Sequence, residues 1–412
     1  MGNTVCILGL GYIGLPTAAV AAGAGCTVIG VDINAERVET VNAGKSPIHE
    51  PGVAELIRKV VSNGRLRAAT EPEDADYFVV AVPTPLREQN QPDISFVEQS
   101  IDSVAPRLRP GNTVIIESTC PVGTTEAMLK RIEKLRPDLH LPQHGRGEDG
   151  IAVAYCPERV LPGQIINELQ ENDRVIGGVT PLCAQKASAF YRTFLTKGQC
   201  FETTATTSEL VKLAENAYRD VNIAFANELS MIAELNDVNP WELIALASRH
   251  PRVNILQPGP GVGGHCIAVD PWFIVAKNPS EARLIRTARE VNLHKTEYTL
   301  ESILKAVDIR NATSVAMLGL AYKPNVDDLR ESPSVELTRA LAAKRDIEVL
   351  AVEPHITKLP PELQLERVRL ASLDEARQKS DLLVLLVKHD VFRSLRDAVP
   401  KKPLLDVCGL FV

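Results

Sequence analysis

Cys266 lies in the run GVGGHCIAVD over residues 261–270, where three glycines leave little side-chain bulk beside a thiol. A thiolate can add to an aldehyde carbon, and loss of a hydride from that adduct leaves a thioester that water can cleave. Considered alone, however, a cysteine is more often a small buried hydrophobic residue. The run therefore predicts a reactive thiol on the condition that the chain also binds a hydride acceptor.

A dinucleotide-binding pattern near the N-terminus meets that condition. Residues 9–14 read GLGYIG, a G-x-G-x-x-G motif between a β-rich run and an alanine-rich segment. Its first glycine permits a tight turn, its second lets backbone N–H groups approach a pyrophosphate, and its third brings helix and strand together. Asp32 ends the next predicted strand, where an acid binds a ribose 2′-hydroxyl and favours NAD over NADP. Two alternatives stay open: Arg37 could accommodate a 2′-phosphate, and the motif could be a glycine turn with an unrelated aspartate.

Polar side chains on a predicted helix and at two predicted strand ends could assist such chemistry. Lys212, Asn216 and Arg219 are spaced i, i+4 and i+7, so they share one helix face. A cation such as Lys212 could lower the pKa of a nearby thiol. Glu158 and Thr119 each follow an apolar run, where doubly wound folds bind ligands. A solvated helix face, a surface carboxylate and a turn threonine are the open alternatives.

Short apolar runs predict two sheets, one near each end of the chain. Because the runs alternate with helical stretches such as 15–24, they indicate βαβ units and parallel strands. The predicted strands are Thr4–Leu8, Thr27–Val31, Asp76–Val82, Asn112–Glu117, Ile151–Tyr155, Arg174–Gly177, Ser314–Leu318, Glu348–Val352, Asp381–Val387 and Leu404–Val407. The second set repeats the first in outline but lacks a complete glycine motif, so a second dinucleotide is not implied.

The middle of the chain has a different period. Thr206 to Glu209 fits a capping box, and Leu210 to Leu235 contains neither Gly nor Pro. A single helix of about 26 residues would extend for about 39 Å and could bridge two domains or pair with a copy of itself. Residues 280–307 form a second helical stretch. We therefore predict an α/β fold in which a helical central domain with one long helix (201–305) joins two Rossmann-like doubly wound domains (1–200 and 306–412).

Composition excludes several classes of partner. The net charge of −7 over 412 residues argues against nucleic acid or an anionic membrane as the main partner. The apolar runs are too short to span a bilayer, and only three residues precede the first predicted strand, too few for a signal peptide. Eight cysteines without C-x-x-C spacing indicate reduced thiols in the cytoplasm. His140 and His144 have Pro142 between them and no acidic partner, so we expect no metal site.

Four runs, taken together, resemble one enzyme family. They are residues 9–14 (GLGYIG), 212–216 (KLAEN), 263–266 (GGHC) and 319–324 (GLAYKP). In this order they resemble the nucleotide-sugar 6-dehydrogenases of the UDP-glucose/GDP-mannose dehydrogenase family. Residues 155–163 (YCPERVLPG) and 249–259 (RHPRVNILQPG) look like the bacterial branch that oxidises UDP-N-acetyl-D-mannosamine. UDP-glucose dehydrogenases usually carry Phe-Leu where this chain has Arg159-Val160, and relatives often have Ser in place of Cys120.

The resemblance implies a four-electron oxidation of the sugar C6 hydroxyl to a carboxylate with two NAD, in a cytoplasmic homodimer formed through the central helix. The uronate product would serve bacterial surface polysaccharide. The implied catalytic residues are Cys266, Lys212, Asn216, Glu158 and Asp270. NAD would contact Gly9, Gly11, Tyr12, Ile13, Gly14, Asp32, Arg37, Thr84, Thr119 and Arg330. The substrate would contact Arg159, Val160, Lys212, Asn216, Arg219, His250, Arg252, Gly263, Tyr322 and Lys323, with Arg252 acting across the dimer interface.

Three alternatives remain at this point. A sister enzyme could use UDP-N-acetylglucosamine, UDP-glucose or GDP-mannose. An ordinary dehydrogenase of the 2-hydroxyacid or 3-hydroxyacyl type would make one NADH per substrate and no carboxylate. A regulatory or scaffold protein could bind NAD without catalysis, in which case the cysteine, lysine and asparagine would have aligned by accident.

Overall fold

The first compact unit, Met1–Ala214, is built on a sheet covered by helices on both faces. The computed structural model describes residues 2–48, 50–141, 150–161, 163–397 and 402–411. Among them, eight strands form this sheet in the order β3-β2-β1-β4-β5-β6-β7-β8. They are β1 (Thr4–Leu8), β2 (Thr27–Val31), β3 (Leu66–Ala69), β4 (Tyr77–Val80), β5 (Thr113–Ile116), β6 (Ala152–Tyr155), β7 (Arg174–Gly178) and β8 (Cys200–Thr204).

In the described part of this unit, seven α-helices connect the strands, and an eighth begins after β8. They are α1 (Gly14–Gly23), α2 (Ala35–Asn42), α3 (Val53–Ser62), α4 (Ser95–Val104), α5 (Thr124–Leu135), α6 (Ile165–Glu171), α7 (Pro181–Tyr191) and α8 (Ala205–Leu235). The central strands are fully buried, as continuous apolar runs predict.

The sequence did not predict β3 or β8, and it predicted a wholly parallel sheet. β3 is short, and β8 is an edge strand with no buried residue and three polar residues in a row, so neither produces a continuous apolar run. The strand β7 is antiparallel to β6, with Ala154 opposite Gly178. Apolar patterning reports burial and carries no information on strand direction, so the antiparallel pair could not be read from it.

The second compact unit, Glu215–Val412, contains a five-stranded parallel sheet in the order β11-β10-β9-β12-β13. Its strands are β9 (Ser314–Leu318), β10 (Glu348–Val352), β11 (Val368–Leu370), β12 (Leu382–Leu385) and β13 (Leu404–Asp406). Its helices beyond the end of α8 are α9 (Pro240–Ala247), α10 (Asp270–Lys277), α11 (Arg283–Arg310), α12 (Pro333–Lys344) and α13 (Leu373–Lys379). The unit boundary falls inside α8, and the division at 200 and 305 stays a prediction.

The two sheets repeat the same backbone devices. Gly9 and Gly319 both have positive φ, 94° and 90°, and each donates its N–H to the last carbonyl of the second strand, at 2.7 and 2.8 Å. Asp76 and Asp381 each accept an N–H at the start of the first strand, both at 2.8 Å. The predicted likeness of the two ends of the chain is confirmed, and both sheets have a Rossmann-like order.

The long helix α8 begins earlier than predicted. It starts at Ala205 and runs for 31 residues, and Thr204 Oγ1 accepts the Thr207 N–H at 3.2 Å. The predicted capping box is therefore wrong, because Glu209 lies inside the helix and does not cap it. Instead, the buried Glu209 carboxylate accepts the N–H groups of Gly123 and Thr125, at 2.6 and 2.7 Å, and so caps α5. In the described part of the chain, neither α8 nor any other helix is long and apolar enough to cross a membrane.

We expect Glu209→Ala to destabilise α5, because two backbone N–H groups and the Thr125 hydroxyl lose a charged acceptor. The free energy of opening α5 should fall by about 2–3 kcal/mol. Hydrogen–deuterium exchange of α5 peptides measures this change. The control is Glu228→Ala, which removes an exposed carboxylate from the same helix. Unchanged α5 protection in Glu209→Ala would show that the cap contributes nothing.

Candidate active site

The turn between β1 and α1 has the shape that a pyrophosphate requires. A Cβ atom at Gly14 would lie 1.9 Å from the Gly9 carbonyl oxygen, so only glycine allows α1 to approach the strand this closely. At Gly11, by contrast, an added Cβ would meet no protein atom within 4 Å. The turn is thus tight where the protein packs on itself and open above Gly11, where backbone N–H groups can receive phosphate oxygens.

Asp32 closes the other side of this turn. Its buried carboxylate accepts the Leu10 N–H at 3.0 Å and the Asn34 N–H at 2.9 Å, and Arg37 Nη1 lies 2.8 Å away. Burial opposes ionisation, but these hydrogen bonds outweigh it and lower the pKa of Asp32 below its ordinary value. The group is therefore a carboxylate at neutral pH. Ile33, which the sequence reasoning missed, is 91% exposed next to it.

Two further strand ends lie beside one another at the carboxyl edge of the sheet. The Ser118 hydroxyl donates to the Val82 carbonyl at 2.7 Å and accepts the Val82 N–H at 2.9 Å. This bridge connects the loop after β4, which carries Thr84, to the loop after β5, which carries Thr119. Both threonines are partly exposed, as a ligand contact requires. Ser118 is a positioning residue that the sequence reasoning missed, although it directly precedes Thr119.

Glu158 belongs to a buried charge cluster. Its carboxylate accepts Arg174 Nη1 at 2.7 Å and the Arg159 N–H at 2.7 Å, and the Arg174 side chain is only 2% exposed. Glu117, at the end of the neighbouring strand β5, accepts the Tyr191 hydroxyl at 2.7 Å. Burial, together with the negative charge of Glu158, raises the pKa of Glu117 to about 7. Arg174 thus pairs directly with the Glu158 carboxylate, and neither Arg174 nor Glu117 is among the site residues predicted from the sequence.

Cys266 is the exposed thiol of the chain. All eight cysteines lie in the described residues; six are buried and Cys200 is partly buried. Burial raises the pKa of Cys6 to about 11 and that of Cys156 to about 12, so these thiols stay protonated. Cys266 instead begins a turn in which its carbonyl accepts the N–H groups of Val269 and Asp270, at 3.2 and 2.8 Å. The alternative of a buried packing residue is wrong for Cys266.

The turn that carries Cys266 is fastened to α8. The Asn216 amide donates to the Asp270 carboxylate at 2.5 Å, and both side chains are buried. Asp270 is the first residue of α10, which begins directly after the turn. On the same face of α8, Lys212 is buried one turn before Asn216 and Arg219 is exposed one turn after it. The prediction that Lys212, Asn216 and Arg219 share one helix face is confirmed, although the three residues differ in burial.

Gly263 brings the segment that carries Cys266 (residues 259–270, the thiol segment) close to the loop after β9. A Cβ atom at Gly263 would lie 2.4 Å from the Glu331 carbonyl oxygen and 3.0 Å from Tyr322 Cβ. The predicted substrate contacts Gly263 and Tyr322, both partly exposed, thus lie side by side in the second unit. Lys323 lies over the Tyr322 ring, with its amine 5.8 Å from the ring centroid.

The same loop holds an ion pair that reaches the thiol segment. Asp328 lies 3.6 Å from His265 Nε2 and 2.7 Å from Arg330 Nη2. Although burial opposes ionisation, the hydrogen bonds from Arg330 and His265 lower the pKa of Asp328 well below its ordinary value. Arg330, which is predicted to approach NAD, and His265, the residue before Cys266, thus share the carboxylate of Asp328.

The other predicted contacts are accessible, and their roles stay predictions. Tyr12, Ile13, Arg159 and Val160 are partly exposed in the first unit, and His250 and Arg252 are exposed after α9 in the second. The His250 Nδ1 accepts the Arg252 N–H at 3.3 Å.

One cluster of potential metal ligands lies among the described residues. Ligand atoms of Glu353, His355 and His389 lie within 4.8 Å of one another. The Asn325 N–H donates to His389 Nδ1 at 2.9 Å, so the His389 proton is on Nε2, 3.0 Å from Glu353. The same carboxylate accepts backbone N–H groups after β9, so these atoms form a hydrogen-bond network. His144, of the pair discussed above, lies outside the described residues.

Comparison with known families agrees with this geometry. Three domain profiles of the UDP-glucose/GDP-mannose dehydrogenase family match the chain in order: the NAD binding domain over residues 3–195, the central domain over 206–294 and the UDP binding domain over 316–411.

Individual relatives cover almost the whole chain. The UDP-N-acetyl-D-mannosamine dehydrogenase of Escherichia coli K12 is 52% identical over 417 residues, 99% of each chain. The NDP-N-acetyl-D-galactosaminuronic acid dehydrogenase of Ralstonia nicotianae is also 52% identical, over 410 residues that cover 99% of this chain and 96% of that one. The solved structure of the UDP-D-ManNAc dehydrogenase from Pyrococcus horikoshii is 36% identical and superposes with a TM-score of 0.88, covering 99% of this chain and 96% of that one.

We expect iodoacetamide to alkylate Cys266 first in the native protein, because it is exposed while burial raises the pKa of other thiols. The buried cysteines should react on the order of 100-fold more slowly until the chain is unfolded. Peptide mass spectrometry after short exposure measures the order of labelling. Equal labelling of Cys266 and Cys156 would contradict the assignment of Cys266 as the accessible thiol.

Proposed function

We propose that this chain, which belongs to the UDP-glucose/GDP-mannose dehydrogenase family, oxidises the C6 hydroxyl of UDP-N-acetyl-D-mannosamine to the carboxylate of UDP-N-acetyl-D-mannosaminuronate. The observation that carries the proposal is the exposed Cys266 thiol in a turn fastened to α8 by Asn216 and Asp270. The overall reaction consumes one water and two NAD⁺, and it yields two NADH and three protons.

The first unit has the residues to hold NAD. The open space above Gly11 fits the pyrophosphate, and the ionised Asp32 fits a ribose 2′-hydroxyl. A 2′-phosphate would meet the negative charge of Asp32, and the Arg37 guanidinium already faces that carboxylate. NAD held by these residues would supply the hydride acceptor for each oxidation. Tyr12, Ile13, Thr84 and Thr119 border the same edge, and the exposed Ile33 offers an apolar surface for the adenine ring.

Cys266 divides the second oxidation into two easier steps. Its thiolate adds to the C6 aldehyde carbon, and the carbonyl oxygen takes the proton that completes a thiohemiacetal. Loss of a hydride from C6 and of a proton from that oxygen leaves a thioester on Cys266. Water then adds to the thioester carbon, the C–S bond breaks, and the thiol and the carboxylate separate.

Polar groups around the reacting carbon would stabilise each of these steps. Lys212 and the Asn216 amide are donors on one face of α8, and they would stabilise negative charge on the C6 oxygen. The hydrogen bond to Asp270 fixes the orientation of the Asn216 amide, because one N–H of that amide donates to the Asp270 carboxylate. Glu158, whose carboxylate pairs with Arg174, would accept a proton from the attacking water.

The nucleotide sugar would be held largely by the second unit. Gly263, Tyr322 and Lys323 lie together there, and the UDP binding domain of the family matches residues 316–411. Arg219, His250 and Arg252 supply further exposed donors, and Arg159 and Val160 are the remaining proposed sugar contacts.

The proposed sugar is taken from two relatives that carry the same name, one found by sequence and one by structure. Both the Escherichia coli relative and the Pyrococcus horikoshii structure are named for N-acetylmannosamine. The Ralstonia nicotianae relative is as similar, which makes an N-acetylgalactosamine nucleotide the second candidate. NADH formation with purified UDP-N-acetylmannosamine, UDP-N-acetylgalactosamine, UDP-N-acetylglucosamine, UDP-glucose and GDP-mannose distinguishes the candidates. Preference for a sugar other than N-acetylmannosamine would overturn this part of the proposal.

For Cys266→Ser we expect sustained uronate production to fall by at least about 1000-fold, because no thioester can form. NAD binding, measured by calorimetry, should be unchanged because Cys266 is not among the cofactor contacts. The matched control is Cys200→Ser, which alters a partly buried thiol on an edge strand and should retain wild-type turnover. Full uronate production by Cys266→Ser would contradict the mechanism, and one NADH per substrate in the wild type would indicate a two-electron dehydrogenase.

We also propose that the enzyme is a cytoplasmic homodimer joined through α8. Tyr218, Phe225 and Ile232 are 70%, 51% and 49% exposed and recur every seven residues, so they form one apolar stripe along the helix. A stripe of this size is typical of a helix that pairs with another surface. The eight free cysteines support a reducing compartment.

Phe225→Glu should dissociate the dimer, because it places a charge in the middle of the apolar stripe. We expect the dimer dissociation constant to rise on the order of 100-fold, measured by sedimentation velocity. The control is Ile309→Glu, an equivalent change at an exposed isoleucine of α11. A wild-type dimer in Phe225→Glu would place the interface elsewhere.

A further inference from the structure

A chain of buried polar side chains connects α8 to the loop that leads to Cys266. It runs from Asp220 and Arg289 through Asn292 and Asn227 to the backbone of Gly259, and all four residues are at most 2% exposed. Arg289 Nη1 donates to Asp220 Oδ1 at 2.7 Å, and Asn292 Nδ2 donates to the same oxygen at 2.8 Å. Asn227 Nδ2 donates to Asn292 Oδ1 at 2.9 Å, and Asn227 Oδ1 accepts the Gly259 N–H at 3.0 Å.

The direction of every hydrogen bond in this chain is determined by its two ends. A backbone N–H and a guanidinium can only donate, so Asp220 Oδ1, which faces Arg289, acts as an acceptor. The Gly259 N–H therefore requires the oxygen of Asn227, and the Asp220 carboxylate requires the nitrogen of Asn292. Turning over either amide would place two acceptors or two donors together in a buried site.

The segment that carries Cys266 is thus fastened to α8 at both of its ends. Asn227 holds Gly259 before the thiol, and Asn216 holds Asp270 after it. The two asparagines are 11 residues apart, which is close to three helical turns, so they lie on nearly the same face about 16 Å apart. The segment between the two fastened residues, Gly259 and Asp270, contains no strand, and its Gly263 lies against the loop after β9.

We propose that Asn227 and Asn292 are positioning residues for the oxidation. Oriented by the Asp220–Arg289 pair, they hold the Gly259 end of the thiol segment in register with α8. This role rests on the proposed function of Cys266, because it places that thiol relative to the amide of Asn216. Neither asparagine touches the substrate; they act through the Gly259 backbone.

The test is the isosteric change Asn227→Asp, with Asn292→Asp as its counterpart. Each replaces a donor by an acceptor without changing the size of the side chain. We expect kcat to fall on the order of 10- to 100-fold, because a shift of about 1 Å in a reacting group can have this effect. The KM for NAD should stay within about twofold of wild type, since the Gly9–Asp32 turn is untouched. The control is Asn236→Asp, the same change at an exposed asparagine just after α8, which should retain full activity.

Two further measurements separate positioning from loss of folding. The rate of Cys266 alkylation by iodoacetamide should change several-fold in Asn227→Asp, without any sugar present. Lowering the pH from 8 to 6 should narrow the gap in kcat between Asn227→Asp and wild type, because a protonated carboxyl can again donate to Asn292. The introduced carboxyl would face Asn292 and lie near the charges of Asp220 and Arg289, so both variants are compared with wild type at each pH.

If Asn227→Asp does not fold, Asn227→Ser removes the bridge without adding charge and should show the same loss of kcat. Wild-type kcat and alkylation rate in a folded Asn227 variant would overturn the inference. That result is distinguishable from failure of the proposed function, which is judged by uronate production in Cys266→Ser.

Discussion

The hydrogen bond between the Asn216 amide and the Asp270 carboxylate is the contact on which the proposed chemistry depends. It is buried, it joins the long helix to the first residue of α10, and the turn before that residue carries Cys266. It is one of two hydrogen bonds by which α8 holds the segment that carries Cys266; the other, from the Gly259 N–H to Asn227, lies farther from the thiol in sequence. The hydrogen bond between Asn216 and Asp270 therefore fixes the end of a loop segment, so that the loop can hold a nucleophile at a defined position.

The two sheets show how one backbone arrangement serves different purposes. In both, a glycine with positive φ ends the first strand, and an acid after the second strand accepts N–H groups that follow this glycine. In the first sheet that acid is Asp32, which faces Arg37 at the open turn above Gly11. In the second it is Glu353, which is paired with the buried His389 and holds the loop leading to Tyr322. The repeated acid thus shapes the turn proposed to bind NAD in one sheet and supports the loop proposed to bind the substrate in the other.

Local patterns predicted most of the fold. Continuous apolar runs located the buried strands, the glycine motif located the turn above α1, and i, i+4 spacing located the polar face of α8. The errors arose where partners are distant in sequence. Glu209 fits a capping box locally, yet it caps a helix that begins 85 residues earlier, at Thr124. Arg174, Glu117 and the Asn227–Asn292 bridge are likewise defined by tertiary contacts, which a single sequence does not reveal. Family resemblance, not residue chemistry, supplied the sugar nucleotide.

The most direct test of the account is to trap the covalent intermediate. In Glu158→Gln the group proposed to accept a proton from water is removed, so the thioester should persist. After rapid mixing with NAD and UDP-N-acetylmannosamine and quenching in acid, we expect peptide mass spectrometry to find the sugar-nucleotide acyl group on the peptide that contains Cys266. An adduct on another residue, or uronate formation with no protein adduct at any time point, would contradict the role of Cys266.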